Sequence, residues 1–217
     1  MNKEEIIKKT AQYIEKTFVN SHSGHDWWHM WRVWQNAKLI GKTEKVDMFI
    51  VEMGALLHDI SDWKFNSKED SESGTQARQW LQQFNLDRKT IDHICDIVAT
   101  VSFKGASSTV EMKTTEGKVV RDADRLDAIG AMGIARAFAY GGSQNRLMHN
   151  PHEKPKKHHT TQDYVKSTSS TINHFYEKLL LLKNLMNTES AKRIAENRHK
   201  FMEDFLREFY SEWSGKI

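Results

Sequence analysis

Cysteine is almost missing from this chain: Cys95 stands alone among 217 residues. One cysteine makes neither an intrachain disulfide nor a cysteine-based zinc site. Proline is nearly as scarce. Pro151 and Pro155 are the only two, close together, so the rest of the chain can run as helix without a proline break. No apolar run is long enough to span a bilayer, and Met1-Asn2-Lys3-Glu4-Glu5 does not read as a signal peptide. The basic excess is small, +3 from 32 Lys and Arg against 29 Asp and Glu, and the two signs are interleaved. Such interleaving describes solvated helix faces. A nucleic-acid binder carries a dense basic stripe, so no stable nucleic-acid complex is expected. A local positive surface for a phosphorylated ligand stays compatible with this charge. Together the absences fit a reduced, cytoplasmic setting with no membrane partner.

What is present is apolar residues at helical spacing, with 7 Trp, 10 Phe and 9 Met to fill a core. Periodicity predicts helices over about 2–18, 26–40, 45–60, 76–84, 88–101, 115–128, from Gly130 to the Gly141-Gly142 pair, 161–186 and 190–213. Asp26 and Thr188 read as N-caps, and Ser73 or Thr75 as a third. The third helix is apolar nearly all round at its end, through Ala55-Leu56-Leu57, which predicts a central, buried element. The segments 62–74, 102–110 and 143–159 read as loops. Strand alternation and internal repeats are lacking. The expectation is an all-α fold, one domain over 1–217, with a core of about 20–135 and C-terminal helices of about 160–213 packed on it.

The chemistry gathers at Ala55-Leu56-Leu57-His58-Asp59-Ile60-Ser61-Asp62. A His-Asp pair ending an apolar helix is costly to bury unless something binds it, and a metal ion is the natural binder. Further nitrogen or oxygen ligands must then come from other helices. His29 lies on the preceding helix, within His25-Asp26-Trp27-Trp28-His29-Met30-Trp31-Arg32-Val33. A third helix carries Asp122-Ala123-Asp124-Arg125-Leu126-Asp127. Asp124 and Asp127 share a helix face by their i,i+3 spacing, so periodicity does not choose between them.

This ordered set resembles the HD-domain metal-dependent phosphohydrolase superfamily, whose pattern is one His, an adjacent His-Asp pair and a distant Asp. Leu57-His58-Asp59-Ile60, Asp122-Ala123-Asp124-Arg125-Leu126-Asp127-Ala128-Ile129-Gly130, the His25–Val33 segment, His174-Phe175-Tyr176-Glu177-Lys178-Leu179-Leu180 and Asn184-Leu185-Met186-Asn187-Thr188 are similar to its small bacterial, YpgQ-like branch. The likeness covers most of the chain. It implies a helical bundle of the HD type with His29, His58, Asp59 and Asp124 as metal ligands. Asp124 is taken because the family's ligand commonly follows an Ala and precedes a basic residue. Manganese is the metal implied, although two His and two Asp also suit Fe, Co, Ni or Zn.

The activity implied is hydrolysis of a nucleotide phosphoanhydride, with a (d)NTP giving the monophosphate and pyrophosphate. Related members place a water-orienting acid three residues after the ligand Asp, which here is Asp62. Arg32, Lys64, Arg121 and Arg125 are the phosphate-binding candidates near the motifs, with Lys104, Arg146, Lys178 and Lys183 more distant ones. His25, Asp26 and Asp127 are candidates for groups standing behind the ligands, and Asp26 reads equally as a plain N-cap. The Trp27, Trp28, Trp31 and Trp34 cluster reads as core packing, and His149, His152, His158 and His159 as surface residues. A nucleoside monophosphatase, or a hydrolase of cyclic or alarmone nucleotides, is the alternative within the same chemistry. A non-catalytic nucleotide-sensing domain is the alternative outside it. A homodimer is compatible with a small helical protein of this kind.

Overall fold

The computed structural model describes residues 1–18, 26–60, 71–101, 111–156 and 168–216. Among these the fold is all-α, as expected: nine helices, one 3-10 stretch and no strand. The helices are α1 (Lys3–Phe18), α2 (Trp27–Gly41), α3 (Met48–Leu57), α4 (Ser71–Leu81), α5 (Arg88–Val101), α6 (Thr115–Asp127), α7 (Gly130–Ser143), α8 (Thr171–Glu177) and α9 (Glu189–Trp213). The chain divides into two compact units. One holds the described residues of Met1–Phe103 and Val110–Asp124, the other those of Arg125–Ile217. No helix among the described residues is long and apolar enough to cross a membrane.

The first unit is arranged about α3, against which α1, α2 and α5 all pack, with α4 lying on α5. Eight of the ten α3 residues are buried, which is why the helix is apolar on every side. Gly54 lets its neighbours come close. A Cβ there would stand 3.2 Å from Val120 Cγ2 on α6 and 3.3 Å from Ile97 Cγ2 on α5. The helix is shorter than its periodicity predicts. Asp47 caps it, its carboxylate accepting the Phe49 N–H, and it ends at Leu57. His58 and Asp59 therefore occupy the turn that follows, closed by the Ile60 N–H donating to the Leu57 carbonyl at 3.1 Å. At α4 the error runs the other way. The helix begins at Ser71, so Ser73 and Thr75 lie inside it and do not cap it.

The tryptophan cluster of α2 is not a core cluster. Trp27 is buried with Met30, Val33 and Ala37 on one helix face, but Trp28 and Trp31 fall on the other, 60% and 40% exposed. They make an edge-to-face pair there, 6.3 Å between centroids. Trp34 is half-buried and donates its indole N–H to Glu52 at 2.8 Å.

In the second unit α7 packs on α8 and α9, and the 3-10 stretch Leu179–Leu185 packs on both α8 and α9. The single helix expected over 161–186 is not formed. Ser170 caps α8, the backbone breaks at Lys178 (φ −143°, ψ −58°), and the leucine run winds as 3-10. In a 3-10 turn residues i and i+3 eclipse, so Leu179 and Leu182 are buried together while Leu181 stays exposed. The region expected as loop from Ser143 is partly held down. The Leu147 and Met148 carbonyls accept the Thr171 and Ile172 N–H groups at 2.9 Å. His149, expected at the surface, is half-buried, its ring packed by Phe209, Tyr210 and Trp213 at 4.9–5.9 Å. His152 is exposed, as expected, while His158 and His159 lie outside the described residues.

Candidate metal centre

Four side chains from three segments of the first unit converge. Asp26, the N-cap of α2, accepts the His29 N–H at 2.8 Å, fixing the backbone of the first ligand candidate in the opening turn of that helix. The turn after α3 brings His58 and Asp59, and α6 brings Asp124. His29 Nε2 and His58 Nε2 are 3.3 Å apart. Asp59 Oδ2 stands 3.5 Å from the first and 3.3 Å from the second. Asp124 Oδ1 stands 3.6 Å and 3.9 Å from the same two nitrogens.

Donors bound to one ion at about 2.0–2.2 Å lie roughly 3.0–3.5 Å from one another, so this cluster is close to the size a single divalent transition metal requires. The two imidazoles are sealed at 1% exposure, whereas Asp59 is 12% and Asp124 26% exposed. The cluster is thus closed behind the histidines and more open on the carboxylate side.

The tautomer of His58 also fits. Its Nδ1–H donates to the Ala55 carbonyl at 2.8 Å, which leaves the Nε2 lone pair facing the cluster. Burial opposes charge on this ring, but the Asp59 carboxylate, aided by Asp124 and the Ala55 carbonyl, outweighs it and raises the His58 pKa to about 9. Without a cation the carboxylates hold a proton on His58. A divalent cation meets the same demand. His29, His58 and Asp59 form a potential metal site, and it is the one such group of three or more found among the described residues.

Asp127 is drawn elsewhere. It is 1% exposed, and its Oδ2 accepts from Arg136 Nη1 of α7 at 2.6 Å, so its burial is compensated by an arginine. The phosphate candidates are also engaged. Arg121 is buried and donates through Nη2 to the Thr100 carbonyl at 2.6 Å, tying α6 to the end of α5. Arg125 donates to the Leu185 carbonyl in the second unit. Arg32 is half-buried on α2, three residues after His29. His25, Asp62 and Lys64 lie outside the described residues.

Sequence reading missed the Ala55 carbonyl as the orienting acceptor, although its position three residues before His58 was available. It also missed Asn36, buried on α2, whose side-chain N–H donates to the Ala123 carbonyl of α6 at 3.3 Å. Arg136, the partner of Asp127, had no signal beyond its charge.

The family model of the HD domain matches residues 27–129, the span that holds all four convergent side chains. Over 204 residues the chain is 36% identical to the Bacillus subtilis protein YpgQ, covering 94% of this chain and 91% of that one. The chain belongs to the HD-domain family. Solved structures agree along its whole length. An HD-superfamily hydrolase from Bacillus thuringiensis is 39% identical, with a TM-score of 0.79 over 99% of this chain and 100% of the other. Bacillus subtilis YpgQ in complex with ADP is 34% identical, with a TM-score of 0.73 over 95% and 97%. As an HD-superfamily hydrolase, this protein belongs to the metal-dependent phosphohydrolases, and the His29, His58 and Asp59 cluster is where its divalent metal fits.

Proposed function

We propose that this HD-domain protein hydrolyses a nucleoside triphosphate, ribose or deoxyribose, to the monophosphate and pyrophosphate. The observation that carries the phosphohydrolase reading is the convergence of two imidazole nitrogens and two carboxylates on one point. The nucleotide comes from the relative: YpgQ, alike over nearly the whole chain, was solved with ADP.

In this reading His29, His58, Asp59 and Asp124 hold one Mn2+. When bound, that ion acts as a Lewis acid on a phosphoryl oxygen and makes water more acidic. His29 and His58, held by Asp26 and Ala55, keep the two sealed ligand positions fixed. Asp59 and Asp124 present charge on the more open side. Asp62 accepts the proton of the attacking water, three residues after Asp59. The water oxygen joins the α-phosphorus, the bond from that phosphorus to the bridging oxygen of the β-phosphate breaks, and pyrophosphate leaves with the electron pair. Arg32 and Lys64, with Arg121 and Arg125, are the proposed cationic partners of the phosphates.

A panel of ribo- and deoxyribonucleoside triphosphates with Mn2+, with pyrophosphate and orthophosphate measured separately, tests this. Pyrophosphate release by the wild type and its loss in Asp59→Ala is the expected pattern. Orthophosphate as the sole inorganic product would refute the assigned bond, and activity surviving in Asp59→Ala would refute the assigned site.

A further inference from the structure

A buried amide on the core face of α2 stands out from its surroundings. Asn36 lies seven residues after His29, two turns along the same helix, so both side chains leave α2 on one side. Around it Val33, Ala37 and Ile40 are fully buried and apolar. Asn36 is itself 9% exposed, and its amide N–H donates to the Ala123 carbonyl. That carbonyl belongs to the residue immediately before Asp124. One hydrogen bond therefore joins the helix of His29 to the helix of Asp124, at the peptide unit next to the carboxylate.

Apolar helix faces can slide or rotate on each other at little cost. A directed bond from a buried amide permits one register, and a single buried Asn between helices is the best-attested device of this kind. A carboxylate ligand tolerates little displacement: the Asp124 Oδ1 to His29 Nε2 distance is 3.6 Å, close to the span of two donors on one ion.

We infer that Asn36 is a positioning residue for the metal centre, setting the register of α6 against α2 so that Asp124 reaches the ion held by His29, His58 and Asp59. This rests on Asp124 being a ligand, as the proposed function has it.

The test separates register from stability. Asn36→Leu keeps the heavy-atom count and branching of the side chain, in a bulkier group, while removing the donor. Removing one partner of a buried hydrogen bond lowers stability, so affinity is measured on folded protein, well below each variant's melting temperature. Metal-free protein is prepared with a chelator, its melting temperature is measured, and Mn2+ is titrated in by calorimetry. For Asn36→Leu the expected result is a protein that still folds, with a somewhat lower melting temperature than the wild type, and Mn2+ affinity lower by about tenfold or more, the usual scale for groups that orient ligands. Asn36→Ala, which also removes the donor, is run beside it and must show the same loss of affinity.

Affinity within twofold of the wild type in either folded variant overturns the inference. So does failure of both variants to fold, since Asn36 would then be a folding residue. Asp124→Asn, run in parallel, isolates the premise. If it binds Mn2+ as tightly as the wild type, Asp124 is not a ligand and the site assignment falls, taking the inference with it. If it binds weakly while the Asn36 variants bind normally, only the inference falls.

Discussion

The His58 imidazole is held from both sides. Its Nδ1–H is committed to the Ala55 carbonyl, and its Nε2 faces two carboxylates that lift its pKa to about 9. The sign of the consequence follows directly. The folded-state pKa lies above the ordinary value, so the proton stabilises the metal-free protein fully below about 6.5 and this contribution is lost as pH rises through about 9. Metal competes for the same lone pair. Mn2+ affinity should therefore rise from pH 6.5 to 9 by up to about tenfold per pH unit and then level off. Calorimetry at pH 7 in buffers of different ionisation enthalpy should show close to one proton released per Mn2+ bound. No proton release, with pH-independent affinity, would mean that metal does not displace a proton from His58. In the sequence the His58-Asp59 pair stands out because it closes an apolar helix, and His29 and Asp124 join it through the resemblance to the HD-domain pattern. Of what holds them, Asp26 was legible as an N-cap, whereas the Ala55 carbonyl was not singled out, since every residue carries a carbonyl and spacing alone does not say which one meets a ring.

The elements carry the site unequally. In α2 the cap serves the first ligand candidate: Asp26 accepts the His29 N–H, so the bond that starts the helix also holds the backbone of that residue. Asp26→Ala should lower the stability of the metal-free protein by about 1 kcal/mol, the usual cost of losing an Asp N-cap. Thermal melting in chelator reads that loss. Stability equal to the wild type would show that the cap is dispensable.

Helix reading succeeded where an apolar face is continuous. The predicted span of α5 coincides with the observed Arg88–Val101, and α1 differs by one residue. It failed at 179–185, because four consecutive leucines satisfy any helical period and cannot reveal a change to 3-10 winding. It could not separate Asp124 from Asp127, which lie on one face. In the structure Asp124 stands with the two histidines, while Asp127 meets Arg136, a partner that no spacing rule identifies. The tryptophans of α2 were misjudged for a related reason. Four of them in eight residues exceed what one face can hold, so Trp28 and Trp31 are left outside.

At the scale of the whole molecule, the fold class was readable because little in the composition competes with helix. The division into two compact units was not readable, since it falls within α6, between Asp124 and Arg125, where no linker marks it. The spread of the proposed ligands from His29 through His58 and Asp59 to Asp124 has a kinetic consequence. Nothing shorter than a folded first unit brings these groups together, so the unfolded chain offers Mn2+ only scattered weak donors. The ion therefore cannot nucleate folding, as it can where ligands sit a few residues apart. A site completed only after the folding barrier acts on the reverse rate. At about one hundred times its dissociation constant, Mn2+ should slow unfolding by roughly a hundredfold and leave the refolding rate unchanged. Stopped-flow denaturant jumps with and without the metal, on the wild type and Asp59→Ala, would show this. In use the protein would be lost slowly while metal is present and quickly once it is withdrawn, so metal supply would govern its lifetime.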